Sequence, residues 1–183
     1  GESNWSWWET QSDEAGMPRI AGGQTSGEAC DHWNRYPEDI ACMKQLGVSA
    51  YRFSLDWSKL EPEPGVFDDA AIAHYRAVLE ALKQAGIKPM ITLLHFSWPL
   101  WFERLGAFER AENIRYLVRF GERMFHEYRP WCKLWCTVNE PEVVSLIGYL
   151  LGKFPPGRRD LHTAVWVQRN LVLAHAQLYH RLK

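Results

Sequence analysis

An α/β fold with a parallel sheet is what this sequence predicts. Three short β-type segments begin at Ala50, Lys88 and Lys133, spaced by roughly 40 residues, as right-handed βα crossovers require. Each is followed by a helical pattern. The third segment stops abruptly in Asn139-Glu140-Pro141, and proline lacks the N–H that would extend a ladder.

The elements follow in order. Residues 1–30 are rich in Gly, Ser and Trp, lack clean periodicity and read as an ordered loop. A helix is expected over Pro37–Leu46, with Ile40, Met43 and Leu46 on one face and Gly47 as a stop. Ala50–Trp57 alternates Tyr51, Phe53, Leu55 and Trp57 against Arg52, Ser54 and Asp56, which is a strand pattern. Glu61–Gly65 is a loop. Asp68–Gln84 reads as a helix capped at Asp68 or Asp69 and ended by Gly86. Lys88–Phe96 is the second strand, Glu112–Tyr128 a helix, Lys133–Asn139 the third strand, and Leu161–Leu182 a long final helix. Three strands cannot close a barrel, which takes about 250 residues. The chain therefore reads as a contiguous piece of a (β/α)8 TIM barrel, or as a small doubly wound domain. No Gly-rich phosphate loop follows any strand, which argues against a nucleotide-binding version.

Composition narrows the function. With 21 basic and 22 acidic residues the formal net charge is -1, so neither nucleic acid nor an anionic membrane is expected as partner. No apolar run is long enough to span a bilayer. The four cysteines, Cys30, Cys42, Cys132 and Cys136, show no metal-pair spacing and read as buried free thiols. Neither a metal nor another cofactor is expected. Ten tryptophans suit a sugar-binding site but also suit a core.

The chemistry concentrates at the strand ends. Arg52 stands inside an apolar strand, where a guanidinium needs an anion. His95 ends the second strand and Asn139-Glu140 the third. A carboxylate at the C-terminal end of a parallel strand is where an α/β barrel places catalysis; a solvated Glu at a strand end is the plainer alternative. In a regular strand Asn139 and Glu140 would point to opposite faces, so a shared pocket requires irregular backbone there.

Taken together, the motifs resemble the first half of the β-glucosidases of glycoside hydrolase family one. They are Ser3-Asn4-Trp5 with Trp8-Glu9, Cys30-Asp31-His32-Trp33 with Arg35-Tyr36 and Glu38-Asp39, and Tyr51-Arg52-Phe53-Ser54 with Trp57-Ser58. Thr92-Leu93, His95-Phe96, Pro99, Thr137–Pro141, Gly148-Tyr149 and Phe154–Gly157 complete the series. The resemblance implies retaining hydrolysis of a β-linked glucoside or related oligosaccharide. By motif match Glu140 is the general acid/base, Asn139 binds the sugar 2-hydroxyl, His95 binds the same ring, Phe96 lines it, and Arg52 supports the nucleophile. Trp57 and Trp98 are expected in core or rim, and Val143 and Ile147 on the leaving-group side if a helix starts at Pro141. The acid of such a pair works best when burial and a nearby anion raise its pKa.

The family's first strand would precede Gly1, and its nucleophile belongs to a Glu-Asn-Gly motif that this sequence lacks. Residues 1–183 then form one fragment of the catalytic domain, without its first strand and C-terminal half. Such a chain is expected to be inactive alone, to self-associate through open barrel edges, and to be cytoplasmic. The competing expectation is a non-catalytic carbohydrate-binding or structural half-barrel.

Overall fold

The computed structural model describes residues 1–183 throughout. Three parallel strands, β1 (Ala50–Ser54), β2 (Lys88–Leu94) and β3 (Leu134–Val138), lie side by side in chain order. Arg52 pairs with Met90 and Met90 with Leu134; Ser54 pairs with Thr92 and Thr92 with Cys136. The helices in chain order are α1 (Asn4–Trp8), α2 (His32–Gln45), α3 (Trp57–Leu60), α4 (Asp69–Gln84), α5 (Leu100–Arg104), α6 (Ile114–Tyr128), α7 (Pro141–Val143) and α8 (Leu161–Leu182). A π-helical stretch, Val144–Leu150, continues α7.

The strand alternation sorts side chains onto two faces. Phe53, Ile91, Trp135 and Thr137 face the helices: Phe53 stacks on Tyr75 of α4, Trp135 packs on Phe125 of α6, and Thr137 Oγ1 lies 2.6 Å from His175 Nδ1 of α8. Arg52, Ser54, Met90, Thr92, Leu94, Leu134, Cys136 and Val138 share the other face by the same register. No helix of this chain covers it.

Local chemistry explains the helices. The Asp68 carboxylate accepts from the Ala70 and Ala71 amides at 2.8 and 3.0 Å, starting α4; Gly86, with φ 74, ends the turn after it. Ile72, Val78, Leu79 and Leu82 then form its buried stripe. The Asp160 carboxylate starts α8 by accepting from the Thr163 amide at 2.6 Å. Gly121 of α6 brings α8 close to the sheet, since a Cβ there would collide with Leu178 Cδ2 and press on Leu93 Cδ1.

Several sequence expectations need correction. Residues 1–30 include α1, whose Ser3 and Ser6 cap one another reciprocally. α2 starts at His32 rather than Pro37, and Leu46 is exposed, not on its buried face. β1 stops at Ser54, short of the expected Trp57, because the Asp56 carboxylate caps α3 there. β2 stops at Leu94 because Phe96 takes a left-handed φ of 66. Of the four free thiols only Cys132 is buried; Cys30 and Cys42 are exposed. Trp57 and Trp98 are core residues, each 1% exposed.

Candidate active site

The open face of the sheet converges on a polar cluster at its C-terminal rim. Arg52 Nε donates to Thr92 Oγ1 at 2.9 Å, and its Nη2 donates to Asn139 Oδ1. Thr92 is fully buried and Asn139 8% exposed. The Asn139 amide N–H donates to the Leu94 carbonyl at 2.9 Å, continuing the ladder one residue past β3. Asn139 is thereby held by two partners. With its oxygen occupied by Arg52, its Nδ2 is left as a free donor.

Arg52 itself is exposed, and within these residues its partners are the Thr92 and Asn139 oxygens and, at 3.9 Å, Cys136 Sγ, with no carboxylate among them. The reason is position: it lies on the uncovered face, where solvent keeps a guanidinium solvated.

By alternation His95 would fall on the helix side with Ile91 and Leu93. The ladder ends at Leu94, and the turn at Phe96 re-aims the chain. His95 Nδ1 consequently lies 2.7 Å from Ser54 Oγ, on the Arg52 face. The tautomer decides which of the two donates. Burial, and then the Arg52 charge, hold the imidazole pKa below its ordinary value, while Glu140 acts in the opposite sense. His95 is therefore neutral at neutral pH, and it feels both flanking charges.

The left-handed turn at Phe96 is held from a distance. Its carbonyl accepts from Asn4 Nδ2 at 3.2 Å and Trp5 Nε1 at 3.1 Å, and Asn4 Oδ1 accepts from the Trp98 amide at 3.0 Å. A strained non-glycine backbone persists only under such over-determination. The Phe96 ring lies 6.2 Å from Phe154, which packs edge-on against Trp5 at 4.9 Å. These rings form an aromatic wall beside His95.

Glu140 follows Asn139 with φ 43 and ψ 63, a left-handed residue directly before Pro141. The backbone is thus irregular where the sequence required it. The Glu140 side chain is exposed, so the burial expected around a general acid is not supplied by these residues. α7 does begin at Pro141, and Val143 and Ile147 are both half-buried on it and its π-helical extension. The wider π turn takes Ile147 out of simple four-residue register with Val143.

The open face carries no carboxylate: its side chains are Arg52, Ser54, Met90, Thr92, Leu94, Leu134, Cys136 and Val138. Asp56, just beyond β1, is engaged by Ser58 Oγ and the Lys59 amide. The site thus joins one free carboxylate, one oriented amide, one neutral imidazole and an aromatic wall. Sequence reading left Ser54, Thr92, Asn4, Trp5 and Phe154 without roles, although the Ser3-Asn4-Trp5 motif and the parity of Ser54 with Arg52 were visible signals.

The sequence profile of glycosyl hydrolase family 1 matches residues 1–183. The chain belongs to that family. It is 38% identical over 159 residues to β-glucosidase A of Acetivibrio thermocellus, covering 86% of this chain and 36% of that protein. The human cytosolic β-glucosidase is 34% identical over 176 residues, covering 94% of this chain and 37% of the relative. The family 1 β-glucosidase structure from Thermotoga maritima superposes with a TM-score of 0.94 at 32% identity, over 100% of this chain and 40% of that one. The chain thus spans about two fifths of the length of the relatives it matches. Its open three-stranded sheet is part of the family's TIM barrel, so the barrel reading, not the doubly wound one, holds.

Proposed function

We propose that this chain supplies the acid/base half of a retaining β-glycosidase site, acting on a β-linked glucoside or related oligosaccharide. Glu140 donates its proton to the glycosidic oxygen as the bond to the anomeric carbon breaks. A second carboxylate attacks that carbon from the opposite side, and Glu140 then takes a proton from the water that releases the sugar. Asn139 Nδ2 donates to the 2-hydroxyl, His95 binds the same ring, and Phe96 lines it.

The observation that carries this reading is the arrangement at the end of β3. Arg52 fixes the Asn139 amide oxygen and leaves its donor free, and the next residue, Glu140, carries an exposed, unbonded carboxylate on a left-handed backbone. Kinship with β-glucosidases adds support, as does the Thermotoga maritima relative held in complex with glucoimidazole. The human relative is a cytosolic enzyme, which favours a cytoplasmic setting here; no helix of the chain is long and apolar enough to cross a membrane.

The attacking carboxylate must come from beyond these residues, because the open face carries none. On this reading residues 1–183 are one fragment of the catalytic domain. The test is hydrolysis of an aryl β-glucoside by the chain alone, then as a fusion in which the chain replaces the segment it matches in the Thermotoga maritima relative. Turnover only in the fusion is expected. Robust turnover by the chain alone would mean that a nucleophile lies within it and that the half-site assignment is wrong.

A further inference from the structure

We infer a second ligand site outside the candidate active site: a cavity of about 430 Å³ that binds a small anion bearing phosphate or carboxylate oxygens. It lies where the turn over residues 12–18 meets the loop after the π-helical stretch, and Arg19, Arg158 and Arg159 line it.

The guanidinium groups there are short of acceptors. Arg19 is half-buried, with its guanidinium 4.5 Å from the ring centroid of Trp8. Its Nε is buried against the protein, while its terminal nitrogens are accessible and bond to no protein acceptor. Arg159 forms no ion pair and no hydrogen bond with the protein. Arg158 engages only its Nε, with Glu109 Oε1 at 3.2 Å, leaving its terminal nitrogens free.

Two carboxylates also line the cavity, and neither forms an ion pair with an arginine. Asp13 Oδ1 accepts from the Ala15 and Met17 amides of its own turn at 3.0 and 2.9 Å. Glu14 lies within no ion-pair distance of any of the three arginines. Planar guanidinium forks matched to phosphate or carboxylate oxygens are the favoured chemistry for such a ligand.

The backbone holds the site in shape. The Ser12–Pro18 bridge and the Arg19 amide bond to the Gln11 carbonyl, 2.9 Å, position Arg19. Opposite, Gly157 takes φ 82 and lies so close to Trp8 that a Cβ would stand 2.7 Å from its ring. The same loop carries Phe154 of the aromatic wall, so an anion bound here braces a segment shared with the sugar site.

The experiment is titration of the chain with inorganic phosphate by calorimetry at fixed ionic strength. Saturable binding is expected, weakened about tenfold by Arg19→Gln or Arg159→Gln through loss of a charge-assisted pair. Arg115→Gln, which removes a charge from the exposed side of α6, should leave it unchanged. Glu14→Gln should tighten binding, and this gain is readable even if an arginine variant fails to fold. A carboxyphenyl β-glucoside separates the sources. Loss of its binding in both Asn139→Ala and Arg159→Gln assigns the anion to the substrate's leaving part; loss in Arg159→Gln alone assigns it to a free anion. No saturable phosphate binding, or equal weakening by Arg115→Gln, or tightening absent in Glu14→Gln, would overturn the proposal.

Discussion

Replacing Arg52 with Met tests the scaffold under the candidate site. The variant keeps an unbranched stem but lacks the guanidinium, and so removes the hydrogen bonds to Thr92 Oγ1 and Asn139 Oδ1 together with the long one to Cys136 Sγ. Both oxygen acceptors lie on buried residues, 0% and 8% exposed. An acceptor left unpaired in a buried place costs about 1–3 kcal/mol. The face is uncovered and Arg52 itself exposed, so water reaches part of the gap and the low end applies to each. The expected loss is about 2 kcal/mol. For a chain of this size 1 kcal/mol corresponds to about 2–4 °C in Tm, so the midpoint should fall by about 4–8 °C in a circular-dichroism melt. Arg52→Lys keeps the charge but not the fork, and should fall between parent and Met. A double-mutant cycle with Asn139→Ala should show a coupling of about 1 kcal/mol, because the two residues share one bond. A Met variant within about 0.5 kcal/mol of the parent, or additive effects in the cycle, would refute the claim that Arg52 orients Asn139.

Three further outcomes follow from the same geometry. His95 should titrate below the ordinary imidazole value of about 6.5, with Glu140→Gln moving it lower and Arg52→Met moving it up, read by NMR of the ring protons. Because the folded pKa is depressed, the unfolded chain takes up the proton first, and this group's contribution is lost as pH falls below about 6.5 towards the folded value; a flat response to both substitutions would separate His95 from the cluster. Gly121→Ala should destabilise by about 1–3 kcal/mol through overpacking against Leu178 and Leu93, less up to about 1 kcal/mol of gained helix propensity; a stabilised variant in chemical denaturation would show that α8 does not sit so close. Leu161, Val165, Val172 and Tyr179, each at least 45% exposed, fall on one side of α8, so the chain should self-associate in sedimentation, and Val165→Lys with Val172→Lys should shift it towards monomer.

The fold was legible because its signals are local. The alternation of Tyr51, Phe53 and Leu55 against Arg52 and Ser54, and the cap at Asp68, are each written within a few residues. The proline at 141 likewise forced the end of β3. What escaped depends on contacts far apart in sequence. The left-handed turn at Phe96 carries no glycine to announce it; it is made by Asn4 and Trp5, more than 90 positions away. That turn both shortens β2 and swings His95 onto the open face beside Ser54. The partners of Arg52 escaped for a related reason: an arginine in a strand suggests an anion, and only the register shows that a threonine and an amide hold it within these residues. α1 was missed because its cap pairs two serines, not the usual serine with a glutamate.

The central claim is that Glu140 delivers a proton to the leaving oxygen. The most direct measurement is kcat/KM for parent and Glu140→Gln, in the fusion in which the chain replaces the matching segment of the relative, against β-glucosides whose leaving groups range from alkyl alcohols to dinitrophenol. A general acid is worth about 10²–10⁴-fold where the leaving group needs the proton, and little where the departing anion is already stable. The account predicts a loss in that range for alkyl glucosides and a small one for dinitrophenyl glucoside. Equal losses across the series would contradict it.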